Sequence, residues 1–356
     1  MITSLKKRAN SFTNYPIMFK GYTKPLSLIA GIAVALSFCI TVPKTEADAD
    51  GVAEIAMELN TGLIMHEKCS DRQLPMASTT KIMSALIIAE DCDLSEVITV
   101  PDQAVGVEGS SIYLKHDEQI SVRDLLYGLM LRSGNDSACA LAIHHSGSID
   151  KFVDKMNERA KEIGATDTHF TNPSGLPDDS HYTTAKDLCN IARTAMKNSV
   201  FREVVGTQNY NGDFRVFTNK NKLLTSLDGA NGVKTGYTEK AGRCLVSSAV
   251  RGGMDVVCVV LNCYDMFERS EKIIENCFNS YSLETVPKDK VFIYNGLPCT
   301  LDSDCEIVIK RDWELTYTLA APEKYCTQTD RNYPIAKLQI YNQNDLLFSH
   351  DLFTIE

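Results

Sequence analysis

The stretch Met76-Ala77-Ser78-Thr79-Thr80-Lys81-Ile82-Met83 is where a hydroxyl and an amine are spaced to act together. Pro75 and the small residues after it suit a helix entry, and the apolar run Ile82, Met83, Ala85, Leu86, Ile87, Ile88 suits a buried helix. Residues three apart share a helical face, so the Lys81 amine folds back onto the Ser78 hydroxyl. A serine is a weak nucleophile until a neighbouring base activates it, and a lysine of depressed pKa is such a base. The spacing alone is weak evidence, because Ser4 with Lys7 and Ser148 with Lys151 repeat it without partners. A capping serine beside a snorkelling lysine is the plain structural alternative.

Two further short patterns occur once each. Ser133-Gly134-Asn135 interrupts an apolar helical run, and Lys234-Thr235-Gly236 opens a strand-rich region. The chain around them is organised to bring such pieces together. Val52 to Leu59 alternates, Asn60-Thr61-Gly62 turns, and Leu63 to His66 returns, which predicts a hairpin. Helix signals fill Val122 to Ile143, Ile149 to Ile163 (after Ser148, stopped by Gly164) and a segment starting near Thr184. Arg243 to Val250 and Met254 to Leu261, joined through Arg251-Gly252-Gly253, predict a second hairpin, and Phe267 to Tyr281 a closing helix. Strands at both ends of a helical middle predict an α+β fold, an antiparallel sheet packed against helices. Short strand-like runs at 291–294, 306–309, 315–319, 335–341 and 345–348 predict a small all-β, sandwich-like domain after it.

Composition bounds the partners. A chain of 356 residues, 44% hydrophobic and 23% charged, has room for a large domain and a smaller one. The first acidic residue is Glu46, whereas Lys6, Lys7, Arg8, Lys20, Lys24 and Lys44 precede it. The formal charge of −10 therefore understates the acidity of the body, which argues against nucleic acid as a partner. The uncharged run Leu26 to Val42, followed by Ala47-Asp48-Ala49, predicts an export segment over residues 1–49, either cleaved before Asp50 or kept as an N-terminal anchor in contact with the membrane. In both cases the body, residues 50–283 and 287–356, lies outside the cytoplasm, with the basic flank left inside. The twelve cysteines do not cluster, and Cys139, Cys189, Cys244 and Cys258 fall in apolar stretches, so they read as buried thiols; Cys299 and Cys305 are the pair to test for a bridge. No Cys/His spacing suits a metal, and neither metal nor cofactor is expected.

Taken together, Ser78-x-x-Lys81, Ser133-x-Asn135 and Lys234-Thr235-Gly236 resemble the motif set of the penicillin-recognising serine enzymes. The narrower resemblance is to the low-molecular-mass penicillin-binding proteins that are D-Ala-D-Ala carboxypeptidases. It is carried by 75–83, by Asn172-Pro173-Ser174-Gly175-Leu176-Pro177-Asp178, by His181-Tyr182-Thr183-Thr184-Ala185-Lys186-Asp187-Leu188 and by Lys234-Thr235-Gly236-Tyr237-Thr238, over roughly 52 to 282. That family has a β-lactamase/transpeptidase-like fold followed by a small β domain. Its usual C-terminal amphipathic anchor has no counterpart in the last residues here.

The resemblance implies removal of the terminal D-Ala from peptidoglycan stem peptides through an acyl-enzyme, with β-lactam antibiotics as inhibitors. Ser78 would attack, Lys81 would take the proton, and Ser133 would relay it. Asn135 would hold the substrate amide. Lys234 and Thr235 would face the terminal carboxylate, beside Gly236. Lys234 and burial together would depress the Lys81 pKa. The backbone amides of Ser78 and Tyr237 would form the oxyanion hole, and the family alignment adds Arg269 as a carboxylate-binding arginine. The rivals are a β-lactamase, a transpeptidase or endopeptidase on the same scaffold, and an inactive wall-binding protein. A β-lactamase needs a deacylating glutamate, and Phe170 to Asp179 contains none; Asp178 and Asp179 read as capping or solvated.

Overall fold

The structure is a computed structural model, and it describes residues 51–212, 215–322 and 333–355. The expected export segment lies outside the described residues. Among the described residues no helix is long and apolar enough to cross a membrane.

The predicted first hairpin forms as β1 (Ala53–Glu58) and β2 (Ile64–Lys68). The nucleophile stretch enters a single 3-10 turn, Ala77–Thr80, which runs into α1 (Lys81–Asp91). A two-stranded ribbon, β3 (Val97–Thr99) with β4 (Gln119–Ser121), leads to α2 (Val122–Tyr127), capped by the Ser121 hydroxyl. The helical run expected from Val122 to Ile143 does not continue. It widens into one π turn at Gly128–Arg132 and breaks at Ser133, whose φ of 66° is left-handed, before α3 (Asn135–Ser146) restarts. A left-handed residue ends a helix by turning its carbonyl away from the ladder, and this turns Ser133 out of the helix.

Next come α4 (Ile149–Ile163), capped by Ser148 and ended by Gly164, and α5 (Ala185–Lys197), capped by Thr184. They are followed by α6 (Ser199–Gly206), the ribbon β5 (Asn209–Asn211) with β6 (Val216–Thr218), and α7 (Leu223–Ser226). Strands β7 (Ala230–Thr238), β8 (Gly242–Arg251) and β9 (Met254–Leu261) then complete an antiparallel sheet in the order β2-β1-β9-β8-β7. Every residue of β9 is buried, because helices cover both faces of the sheet. Val257, Val259 and Leu261 join the core of the helical middle, while Val256, Cys258 and Val260 pack under α8 (Met266–Ser280). The period-2 alternation of a strand divides the two cores. As the last strand of the sheet, β7 has its outer side free to face the Ser78 turn.

The closing helix ends one residue before its expected end, at Ser280, and the chain passes directly into a strand, β10 (Tyr281–Val286). The separate all-β region adds β11 (Phe292–Tyr294), β12 (Leu297–Thr300), β13 (Cys305–Lys310), β14 (Leu315–Ala320), β15 (Ala336–Asn342) and β16 (Asp345–Thr354). β10 pairs with β13, and the other five form a sheet in the order β11-β12-β16-β15-β14. Val286, Ile307, Leu338, Ile340 and Leu352 fill the core between them. Cys299 and Cys305 are unbonded and buried, like most of the free thiols among the described residues. Burial holds such thiols protonated, pushing Cys189 and Cys277 up to about 12.

One ion pair ties α8 to the sheet. The Glu54 carboxylate on β1 is 1% exposed and receives Arg269 Nε at 2.7 Å, Arg269 Nη2 at 3.0 Å and His66 Nε2 at 2.9 Å. Burial alone would raise the Glu54 pKa, but the hydrogen bonds from His66 and Arg269 outweigh it and hold the group below its ordinary value. Removing one partner of a buried pair leaves an uncompensated charge. With the guanidinium partly exposed and His66 remaining, Arg269→Ala is expected to cost about 2–3 kcal/mol of unfolding free energy, read by urea denaturation. Unchanged stability with a raised KM for a carboxylate-ended substrate would return Arg269 to substrate binding.

Candidate active site

The turn that opens α1 is held in an unusual backbone state. Ala77 has φ of 48°, a left-handed conformation that a residue with a Cβ avoids, so the residues around it must fix it. Gly175 lies against it: a Cβ there would sit 1.9 Å from the Ala77 carbonyl oxygen, so only glycine permits this approach. The loop carrying Gly175 is wound around one side chain. Asn172 Oδ1 accepts from the Ser174, Gly175 and Leu176 amides and from the Ser174 hydroxyl. From the other side, Gly236 on β7 is the close-approach residue, where a Cβ would stand 3.1 Å from the Ser78 nitrogen.

Lys81 is the centre of the cluster. It is fully buried, and its Nζ donates to Ser78 Oγ at 3.0 Å, to Asn135 Oδ1 at 2.7 Å and to the Ser174 carbonyl. Burial pushes its pKa well below the ordinary lysine value; Lys234 and Lys220 push the same way, and Asp136 opposes them. Lys234, also buried, donates to its neighbour's carbonyl, Thr235 O, at 2.8 Å. Burial, assisted by Lys220, lowers its pKa to about 7.

Asn135 sits at the first position of α3, with its amide committed at both ends. Oδ1 accepts from Lys81, and Nδ2 donates to Glu108 O at 2.7 Å. The residue expected to hold a substrate amide is therefore also the one that orients the lysine. The loop that receives it is fastened by Asp136, whose buried carboxylate accepts from the amides of Ile112 and Leu114 and from the Ser111 hydroxyl. Ser133 is 4% exposed and sits at the left-handed break between the π turn and α3. Tyr237 is 65% exposed at the free edge, paired across the sheet with Arg243.

The arrangement thus brings Ser78, Lys81 and Asn135 into contact, sets Gly236 against the Ser78 amide, and places Lys234 close enough to influence Lys81. Arg269, expected to face a substrate carboxylate, is engaged with a protein carboxylate in this structure. It bonds Glu54 on β1, which two strands separate from β7, because the buried carboxylate needs a countercharge. Sequence reasoning also missed three contributors. The Ser174 carbonyl and the Gly175 contact lay within a stretch quoted only for its likeness. Lys220, which donates to Ser110 Oγ at 3.3 Å, carried no motif signal at all. In the loop where a deacylating glutamate would lie, Asp178 accepts from the Ser180 amide and Asp179 pairs with Lys240, both at the surface.

A serine hydroxyl bonded to a buried lysine at a helix entrance, against the edge strand of a sheet covered on both faces, defines an active-site-serine enzyme of the penicillin-recognising class. Residues 40–265 match the family described as D-alanyl-D-alanine carboxypeptidase, and the chain belongs to that family. Among relatives, it is 33% identical over 294 residues to D-alanyl-D-alanine carboxypeptidase DacF of Bacillus subtilis, covering 74% of this chain and 76% of the relative. It is 36% identical over 259 residues to a D-alanyl-D-alanine carboxypeptidase of Streptomyces sp. strain K15, covering 66% and 89%. Among solved structures, the D-alanyl-D-alanine carboxypeptidase DacD from Francisella tularensis superposes with a TM-score of 0.70 at 25% identity, over 87% of this chain and 94% of that one. A serine-to-alanine mutant of the Streptomyces K15 DD-transpeptidase gives 0.62 at 34% identity, over 64% and 97%. The protein is accordingly a serine-type peptidase, a hydrolase of the cell-wall carboxypeptidase class.

Proposed function

We propose that Ser78 is the nucleophile of a D-Ala-D-Ala carboxypeptidase reaction on peptidoglycan stem peptides, and the residue that β-lactams acylate. The observation that carries the reading is the Lys81 amine, fully buried and 3.0 Å from the Ser78 hydroxyl, in surroundings that favour its neutral form. Neutral Lys81 accepts the hydroxyl proton as Ser78 Oγ bonds to the carbonyl carbon of the penultimate D-Ala. The tetrahedral oxyanion is met by the Ser78 and Tyr237 amides, and Ser133 passes the proton to the departing amine of the terminal D-Ala. Water then hydrolyses the ester.

Lys234 and Thr235 meet the substrate carboxylate. The two lysines divide the work by charge: Lys81 serves as a base once it has lost its proton, whereas Lys234 attracts a carboxylate while it keeps one. Because Lys234 titrates near 7 in the free protein, carboxylate binding weakens as pH rises through that value, and a bound carboxylate draws its pKa back up. Phe170 to Asp179 contains no glutamate to deacylate the enzyme, so the acyl-enzyme formed with penicillin is expected to be long-lived, which separates this reading from a β-lactamase.

The test is incubation of wild type and Ser78→Ala with fluorescent penicillin and with a peptide ending in D-Ala-D-Ala. Stable labelling and D-alanine release, both lost in the variant, are expected. Labelling of Ser78→Ala, or rapid turnover of penicillin by wild type, would overturn the assignment.

We further propose that residues 1–49 direct export of the body to the cell envelope and are removed before Asp50. The motif Ala47-Asp48-Ala49 after an uncharged run supports this. N-terminal sequencing of the mature protein is expected to begin at Asp50; a start at Met1 would make the segment a membrane anchor instead.

A further inference from the structure

Behind the Ser78 turn runs a chain of hydrogen bonds that the chemistry above does not use. The Thr171 amide donates to His181 Nδ1 at 3.0 Å, which leaves the ring proton on Nε2. Nε2 lies 2.8 Å from Thr80 Oγ1 and donates to it. With that oxygen already accepting, the Thr80 hydroxyl proton is directed onward, and it is given to the Ala77 carbonyl at 2.8 Å. His181 is 3% exposed and Thr80 fully buried, so water does not compete for these groups. Burial, with smaller contributions from His169 and Lys81, outweighs Asp178 and takes the His181 pKa down to about 4, so the ring is neutral at physiological pH.

The end of this chain matters because of what shares its peptide plane. The Ala77 carbonyl and the Ser78 N–H belong to one planar trans peptide and point in opposite directions. Fixing one fixes the other. Ala77 is left-handed, so its carbonyl direction is not the one that a helix entry would set by itself.

We propose that His181 is a positioning residue for the oxyanion hole: acting through Thr80 and the Ala77 carbonyl, it sets the direction of the Ser78 N–H. The assignment rests on Ser78 being the nucleophile. His181 touches neither substrate nor reacting atoms.

The two ring nitrogens can be replaced separately. His181→Asn places an acceptor near Nδ1 for the Thr171 amide but has no donor for Thr80. His181→Gln places a donor near Nε2 and gives up the Thr171 contact. The experiment measures penicillin binding (Kd) and the acylation rate constant by stopped flow, with thermal unfolding alongside, for wild type, both variants, Thr80→Val, Thr80→Ser and the double variant His181→Asn/Thr80→Val. The oxyanion forms only on the way to the acyl-enzyme, so the loss belongs to acylation and not to Kd.

His181→Asn is expected to acylate about tenfold to a hundredfold more slowly and His181→Gln to recover to within about fivefold of wild type. The double variant is expected to be no slower than Thr80→Val alone, because both act through one bond. Equal rates for Asn and Gln, rates that follow thermal stability, or losses that multiply in the double variant would overturn the proposal. Should neither histidine variant fold, Thr80→Ser against Thr80→Val decides: the hydroxyl-bearing variant is to acylate at least about tenfold faster, and equal rates contradict the chain. Ser78→Ala runs as the control, since labelling of that variant would defeat the nucleophile assignment and not the role of His181.

Discussion

The structure depends on keeping one amine, Lys81 Nζ, out of water. A fully buried lysine loses its hydration, and the three oxygens that replace it come from three separate parts of the chain: the Ser78 hydroxyl, the Asn135 amide and the Ser174 carbonyl. None is an ionised carboxylate. These neutral dipoles do not offset an ammonium charge, so the cost of burial lowers the pKa; once the proton is lost, the amine keeps two N–H donors and can turn its lone pair to the Ser78 hydroxyl. Two further lysines on the same side add to that pressure. The fold therefore makes Lys81 a readier base than an ordinary lysine.

Placing those oxygens demands close backbone approaches, and the sequence meets them with small residues at the contact points. Gly175 allows the Asn172-centred loop to lie on Ala77, Gly236 allows the edge strand to reach the Ser78 amide, and Gly109 leaves room for the Asn135 side chain. The strain at Ala77 is held between that loop and the strand, with the Thr80 hydroxyl pinning its carbonyl. Strain that persists at a reactive serine is pre-organisation, since the geometry is set before substrate arrives.

How much of this was legible depended on sequence distance. Ser78 and Lys81 are one helical turn apart, so their contact follows from local periodicity. Ser133 and Lys234 were found by motif order, and the sheet by its two hairpins. The contacts that give those motifs their properties were not legible in the same way. Ser174 reaches Lys81 across 93 residues, and Arg269 reaches Glu54 across 215. The Arg269 pairing lies outside any local pattern: an arginine at a helix start gives no sign that a buried glutamate 215 residues away bonds it. The π turn before Ser133 was hidden by an apolar pattern that fits an α-helix equally well, and the strand at Tyr281–Val286 is too short and polar to show an alternation.

The claim that everything else serves is that burial holds the Lys81 pKa well below that of an ordinary lysine, which brings the neutral base within reach. Its folded pKa lies below the unfolded value, so on acidification it takes up a proton later than an exposed lysine would, and only then stops being a base. Titration of the 15N-labelled lysine side chains by NMR, with Lys81 assigned from a Lys81→Met spectrum, reads this directly. The Lys81 resonance is expected to titrate well below the ordinary lysine range of about 10.4. A Lys81 that keeps its proton up to that range would contradict the claim.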